Sequence, residues 1–215
     1  MVSLITAAFP AEGLIERRTN DADAGITVEL ASSGALHHDL ISIGYEAEVG
    51  NRYIKAGNPR PTIDVLVPSL TGKFGNELRG DRAFDKVPGL DLALFGPGLA
   101  IDVTAALLDG TELSMIAVVP SVEGAVILKA YAWHDRKAST VKDAVDISNL
   151  FHVLDQHGPE KLGGWRLDAQ STGSRRDAAG RLHLLADDLD AGKYRRTPLP
   201  ARKLVTLIRK YVIRP

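Results

Sequence analysis

Two hydrophobic rhythms run along this chain, one of period two and one of period near four. The opening nine residues are helix-compatible and stop at Pro10, which cannot continue a helix. From Asp21 to Leu30 the residues alternate into Gly-Ile-Thr-Val-Glu-Leu, which predicts a strand. Leu36, Leu40, Ile43 and Ala47 then recur at helical spacing, predicting a helix over Ala35–Val49 closed by Gly50. Two short strands are expected at Asn51–Lys55 and Thr62–Val67. The second, with Ile-Asp-Val-Leu-Val, is apolar enough for a strand covered on both faces. Residues 69–90 mix glycines with charges and read as an irregular excursion. Strands at Ala100–Leu108 and Ser114–Val119 follow, and Pro120 ends the strand-forming region.

The second half has the longer period. Glu123–His134 predicts an apolar helix and Thr140–Gln156 a better-marked one. A loop rich in Gly, Ser and Arg is expected over Gly163–Gly180, then two terminal helices separated by Pro198 and Pro200. Strands followed by helices, without an internal repeat, imply an α+β fold with a mixed sheet flanked by helices and a helical C-terminal region. The expected division is an α/β core over residues 1–120 and a helical region with a basic tail over residues 121–215.

Composition narrows this picture only in places. At 215 residues the chain can bury a core without covalent staples. Cysteine is absent, which excludes disulfides, thiolate metal sites and a cysteine nucleophile, and fits a reducing, cytoplasmic setting. No apolar run approaches the ~18 residues of a membrane span, and no basic segment precedes the short apolar opening as in a signal peptide. The net charge of −1 conceals an asymmetry: eight bases and no acids follow residue 192, leaving −9 on residues 1–192. Such a tail either meets an anionic partner such as RNA or neutralises the acidic body.

Candidate chemistry begins with Asp21 and Asp23. Residues two apart on a strand share a face, so both carboxylates can address one point. Paired hard oxygen donors suit Mg²⁺, which usually takes one or two carboxylates and substrate phosphates; the same pair also fits the solvated start of a strand. Asp64, within an apolar strand, needs a partner if buried, and a metal shared with Asp21 and Asp23 would supply one. Asp102, in Ala-Ile-Asp-Val, is a second acid of that type. Lys129 interrupts Ala-Val-Ile-Leu-Lys-Ala-Tyr, so its ammonium either snorkels to the surface or enters a cleft, where it could neutralise a triphosphate. Asp143 and Asp146 are neighbours on one helix, and Thr140-x-x-Asp143 has the form of a capping box. The histidines show no metal-ligand spacing, and neither a serine-hydrolase elbow nor a P-loop is present.

The segments Arg18-Thr19-Asn20-Asp21-Ala22-Asp23 and Pro61-Thr62-Ile63-Asp64-Val65-Leu66-Val67-Pro68 resemble the catalytic strands of the polymerase-β-like nucleotidyltransferases. Leu128-Lys129-Ala130, Arg136 and Lys142-Asp143-Ala144-Val145-Asp146-Ile147 resemble the second half of the abortive-infection, AbiEii-type branch, which includes mycobacterial nucleotidyltransferase toxins. The resemblance spans roughly residues 1–155. It implies transfer of a nucleoside monophosphate from an NTP to a hydroxyl, with Asp21, Asp23 and Asp64 as metal ligands. Lys129 would contact phosphates, Asp143 would complete the catalytic set, and Thr19 would lie beside the nucleotide. The toxin branch further implies a tRNA 3′-end acceptor, which the basic tail would suit, and a separate antitoxin protein. One element departs from the pattern. The family's Gly-Gly or Gly-Ser pair, which cradles triphosphate at a helix start, has no counterpart before Asp21. Met1–Leu4 looks like the helix that follows such a pair, so the expectation is a displaced or truncated start. If the chain begins at Met1, triphosphate binding is compromised. A nucleotide- or RNA-binding member without transfer activity is the alternative.

Overall fold

The computed structural model describes residues 1–17, 22–57, 60–107 and 110–215. The fold is α+β, with a mixed sheet flanked by helices and a helical C-terminal region. Contacts group the chain into two units, Met1–Glu16 with Gly96–Pro215, and Arg17–Phe95.

The chain opens with α1 (Val2–Ala8) of the first unit; the second unit then begins with β1 (Ala22–Gly25). The alternation that predicts a strand through Leu30 breaks at Thr27. Its side chain accepts a hydrogen bond from the Leu30 N–H at 3.3 Å and starts α2 (Val28–Ser33). Gly34, at φ 71°, ends α2 in the left-handed region that glycine enters without steric cost. The next helix, α3 (Ala35–Ser42), is shorter than its apolar spacing predicts, because residues 46–47 leave it to form β2 (Glu46–Ala47) against β3 (Arg52–Ile54).

The central strand is β4 (Thr62–Pro68), parallel to β1 and antiparallel to β3. The stretch read as irregular forms a hairpin, β5 (Gly75–Arg79) and β6 (Arg82–Val87), with β6 parallel to β4. Its two-residue turn is Gly80-Asp81, with Gly80 at φ 57°. A short helix, α4 (Leu90–Phe95), follows. Side chains of one sheet face, Tyr53, Val65, Val67 and Phe84, pack with Ile26, Ala31 of α2 and Leu40 of α3 into the core of this unit. The opposite face is polar over much of its area. Gly25 lies on it, where an added Cβ would come 2.9 Å from Leu90 Cδ1, so glycine is what admits α4 there.

In the first unit, β7 (Gly98–Ala106) and β8 (Glu112–Pro120) form an antiparallel two-stranded ribbon. They lead into α5 (Val122–Arg136), α6 (Lys142–His157), a 3₁₀ turn at Glu160–Leu162, α7 (Gly173–Asp190) and α8 (Ala201–Tyr211). Ser121 caps α5 by accepting from the Gly124 N–H at 3.1 Å. The core of this unit includes Ile127, Ala130 and Trp133 of α5, Ile147, Phe151 and Leu154 of α6, Leu182 of α7 and Leu204 and Ile208 of α8. α7 begins inside the stretch expected to be loop, since burial of Ala178 and Ala179 and the Arg175–Glu123 ion pair at 2.8 Å outweigh the glycines. Residues 10–15 run beside α6 through a turn at Glu12-Gly13, with Gly13 at φ 79°, and are held by side chains. Asn149 exchanges both amide hydrogen bonds with Ile15, His152 Nδ1 donates to the Glu12 carbonyl, and Gln156 accepts from the Glu12 N–H.

Candidate functional site

Register decides what the polar face of the sheet contains. Asp64 pairs with Asp23 of β1 on one side and with Arg52 of β3 on the other. Paired residues share a face, so Asp23, Asp64 and Arg52 form one row. Asp85 of β6 lies opposite Leu66, two residues along β4 from Asp64 and therefore on the same face. Arg52 donates to Asp64 through Nε to Oδ1 and through Nη2 to Oδ2, both at 2.8 Å. The partner that Asp64 requires in its half-buried position is thus Arg52, and the need for a metal there does not follow from burial alone. A cavity of about 730 Å³ opens beside the row, lined by Ala47, Glu48, Val49, Asn51, Arg52, Asp64 and Asp85. Asp21 and Thr19 lie outside the described residues.

Asp23 and Asp64 give two hard oxygen donors side by side, a set that fits Mg²⁺ completed by phosphate oxygens. Among the described residues no group of three or more histidine and acidic side chains is placed to hold a metal ion.

The first unit holds a second charged cluster. Lys129, on α5, neither snorkels nor stands alone: its Nζ lies 2.7 Å from Asp146 Oδ2 and 3.6 Å from Asp143 Oδ1. Both carboxylates are 3% exposed and the lysine 17%. Arg136, at the end of α5, clasps Asp143 through Nε and Nη2 at 2.9–3.2 Å. Among the described residues two cations face two anions where α5 meets α6, which offsets the cost of removing the carboxylates from water. The capping box does not form. Thr140 Oγ1 accepts from the Lys142 N–H, Val141 precedes the helix, and Asp143 turns to Arg136 instead. Lys129 and Asp143 are accordingly brought together. The sequence marks Asp146 as the helix neighbour of Asp143 and places Arg136 in the resembling segment, but the i, i+3 spacing of the acids leaves their partners across the helix pair unspecified. Asp102, the other candidate acid, projects from the exposed face of the β7–β8 ribbon opposite Ile116.

The basic tail is largely paired within its own unit. Lys203 and Lys210 each lie 2.8 Å from Asp155, and Tyr211 donates its hydroxyl to the same carboxylate. Arg209 meets Asp190 at 2.6 Å, and Arg214 meets Asp187 at 3.0 Å. Hydrogen bonds from Lys203 and Lys210 hold the Asp155 carboxyl well below the usual carboxylate range. Of the two readings of the tail, neutralisation of the acidic body thus accounts for most of these bases. No helix among the described residues is long and apolar enough to cross a membrane. Comparison with protein-family models, with curated proteins and with solved structures finds no match to this chain.

Proposed function

We propose that this chain is a Mg²⁺-dependent nucleotidyltransferase that moves a nucleoside monophosphate from an NTP to a hydroxyl acceptor, with pyrophosphate leaving. The observation that supports this reading is the registered pair Asp23 and Asp64 on neighbouring parallel strands, facing away from the core. Asp21 falls in the same sequence motif and would complete the ligand set. Bound Mg²⁺ would neutralise and orient the phosphates. Lys129, whose ammonium meets Asp146 and Asp143, would supply a cation of the kind that neutralises phosphate charge. An RNA acceptor, such as a tRNA 3′ end, and a separate antitoxin protein belong to the same proposal, in a cytoplasmic setting. Incubation with each α-labelled NTP, Mg²⁺ and total RNA tests it. Label should appear in one macromolecular acceptor, and Asp23→Ala should abolish transfer while leaving the far-UV circular dichroism unchanged. Full transfer by Asp23→Ala would refute the mechanism.

One observation favours a second reading, a nucleotide- or RNA-binding protein without transfer. Arg52 engages both oxygens of Asp64, and its positive charge opposes a cation at the same carboxylate. On this reading, titration calorimetry finds NTP or RNA affinity with no pyrophosphate release.

A further inference from the structure

The β7–β8 ribbon sorts by register into two faces. Leu99, Ile101, Val103 and Ala105 of β7 share one face with Val119, Ala117, Met115 and Leu113 of β8, and every one of these residues is apolar. Cover on this face is uneven across the ribbon. At equal height Ile101 is buried but Ala117 only half-buried, and Val103 and Ala105 are half-buried where Met115 and Leu113 are exposed. α1 rests against β7 and α5 meets β8, whose Val119 is buried, but from Leu113 to Ile116 β8 is exposed and its edge is open. On the other face, Ile116 is 67% and Val118 75% exposed. Among the described residues no strand pairs with that outer edge of β8.

Natural edges of this kind are guarded by lysine, proline or a bulge. Between Leu113 and Val119 the strand Leu-Ser-Met-Ile-Ala-Val-Val has no charge, no proline and no glycine. Left bare, it is the composition that pairs with other chains.

We propose that β8 pairs antiparallel with β8 of a second copy about a two-fold axis at Ile116, giving a four-stranded sheet across the dimer. The strand is complementary to itself in this register. Ile116 meets Ile116, Met115 meets Ala117, and Leu113 meets Val119. Glu112, the one charged residue of β8, falls opposite Pro120, so no like charges face each other. A nine-residue edge is about 30 Å long. Pairing it with its copy buries on the order of 1,000 Å², the lower bound of a specific interface, which places the dimer in the weak, concentration-dependent class. This proposal is independent of nucleotidyl transfer.

Sedimentation velocity on the full chain at rising concentration tests it. The wild type should pass from monomer to dimer. Ile116→Lys sets two ammonium groups face to face at the axis and should raise the dissociation constant about tenfold or more. Ala106→Lys, exposed on β7 away from the edge, should leave the equilibrium unchanged. Because the chain has no cysteine, Ile116→Cys reports the axis directly: oxidation should yield a covalent dimer, while Ala106→Cys should not. A chain that stays monomeric throughout with no Ile116→Cys cross-link overturns the proposal, and leaves the edge to a strand of a different protein. A dimer that survives Ile116→Lys overturns it equally.

Discussion

Replacing Lys129 with methionine keeps most of the side-chain volume and removes the ammonium. The loss falls mainly on Asp146, whose Oδ2 lies 2.7 Å from Nζ, since Asp143 keeps the clasp of Arg136. Removing one partner of a buried pair costs about 3–5 kcal/mol, because the remaining charge is left in a poorly solvating site. Lys129 is not fully buried, so we place Lys129→Met near the lower end, about 3 kcal/mol. Urea unfolding followed by circular dichroism measures the deficit. Adding Asp146→Leu removes the acid that Lys129 faces and should recover part of the loss, a coupling that a double-mutant cycle measures. A single-variant cost below about 1 kcal/mol would refute the buried-pair account. The double variant has a second use. It should be folded yet lack the lysine, so an assay of labelled NMP transfer tests the proposed role of Lys129 at phosphate apart from its role in stability.

Further outcomes follow from local geometry. Gly163 and Gly164 both have positive φ, at 86° and 87°, but an added Cβ meets Ser121 Cβ at 2.6 Å only at Gly163. Gly164→Ala should therefore cost about 1 kcal/mol and Gly163→Ala about 3 kcal/mol in denaturant titration. The lysines and Tyr211 around Asp155 lower its folded pKa, so their stabilisation is present above the unfolded value and lost as pH falls below about 4. Asp155→Asn should flatten that acid limb in a plot of urea midpoint against pH. Ser121→Ala leaves the Gly124 N–H without its cap and should lower stability by about 1 kcal/mol in the same assay.

Local sequence went far where a periodic signal agreed with burial. The helices α5 and α6 are legible from their long apolar runs, and both are buried around much of their circumference, Val122–Ile127 and Asp143–Leu154 without a break. The strand β4 and the ribbon β7–β8 are equally legible from their apolar and β-branched residues, and Pro10 and Pro200 mark helix limits by simple stereochemistry. Elsewhere short-range pattern misled. Val28–Leu30 continues the strand-like alternation, but the Thr27 cap and the Gly34 turn place it in the helix Val28–Ser33. The charged, glycine-rich stretch after Ser69 forms a hairpin because β6 gains a partner in β4 and buries Phe84. Neither the cap geometry nor the long-range pairing is contained in a local window.

The candidate site divides along the same line. Spacing and resemblance marked Asp23 and Asp143, while Asp64 and Lys129 stood out because a charge inside an apolar run is costly unless something compensates it. What compensates them was decided by tertiary structure. Strand register brings Arg52 to Asp64 across twelve residues, and the packing of α5 on α6 brings Lys129 to Asp146 and Arg136 to Asp143. The basic tail shows it most plainly. Its charge is a property of the sequence, but its pairing with Asp155, Asp187 and Asp190 exists only once α8 packs on α6 and α7. Sequence determines which groups must be satisfied; register and helix packing determine which partners can reach them.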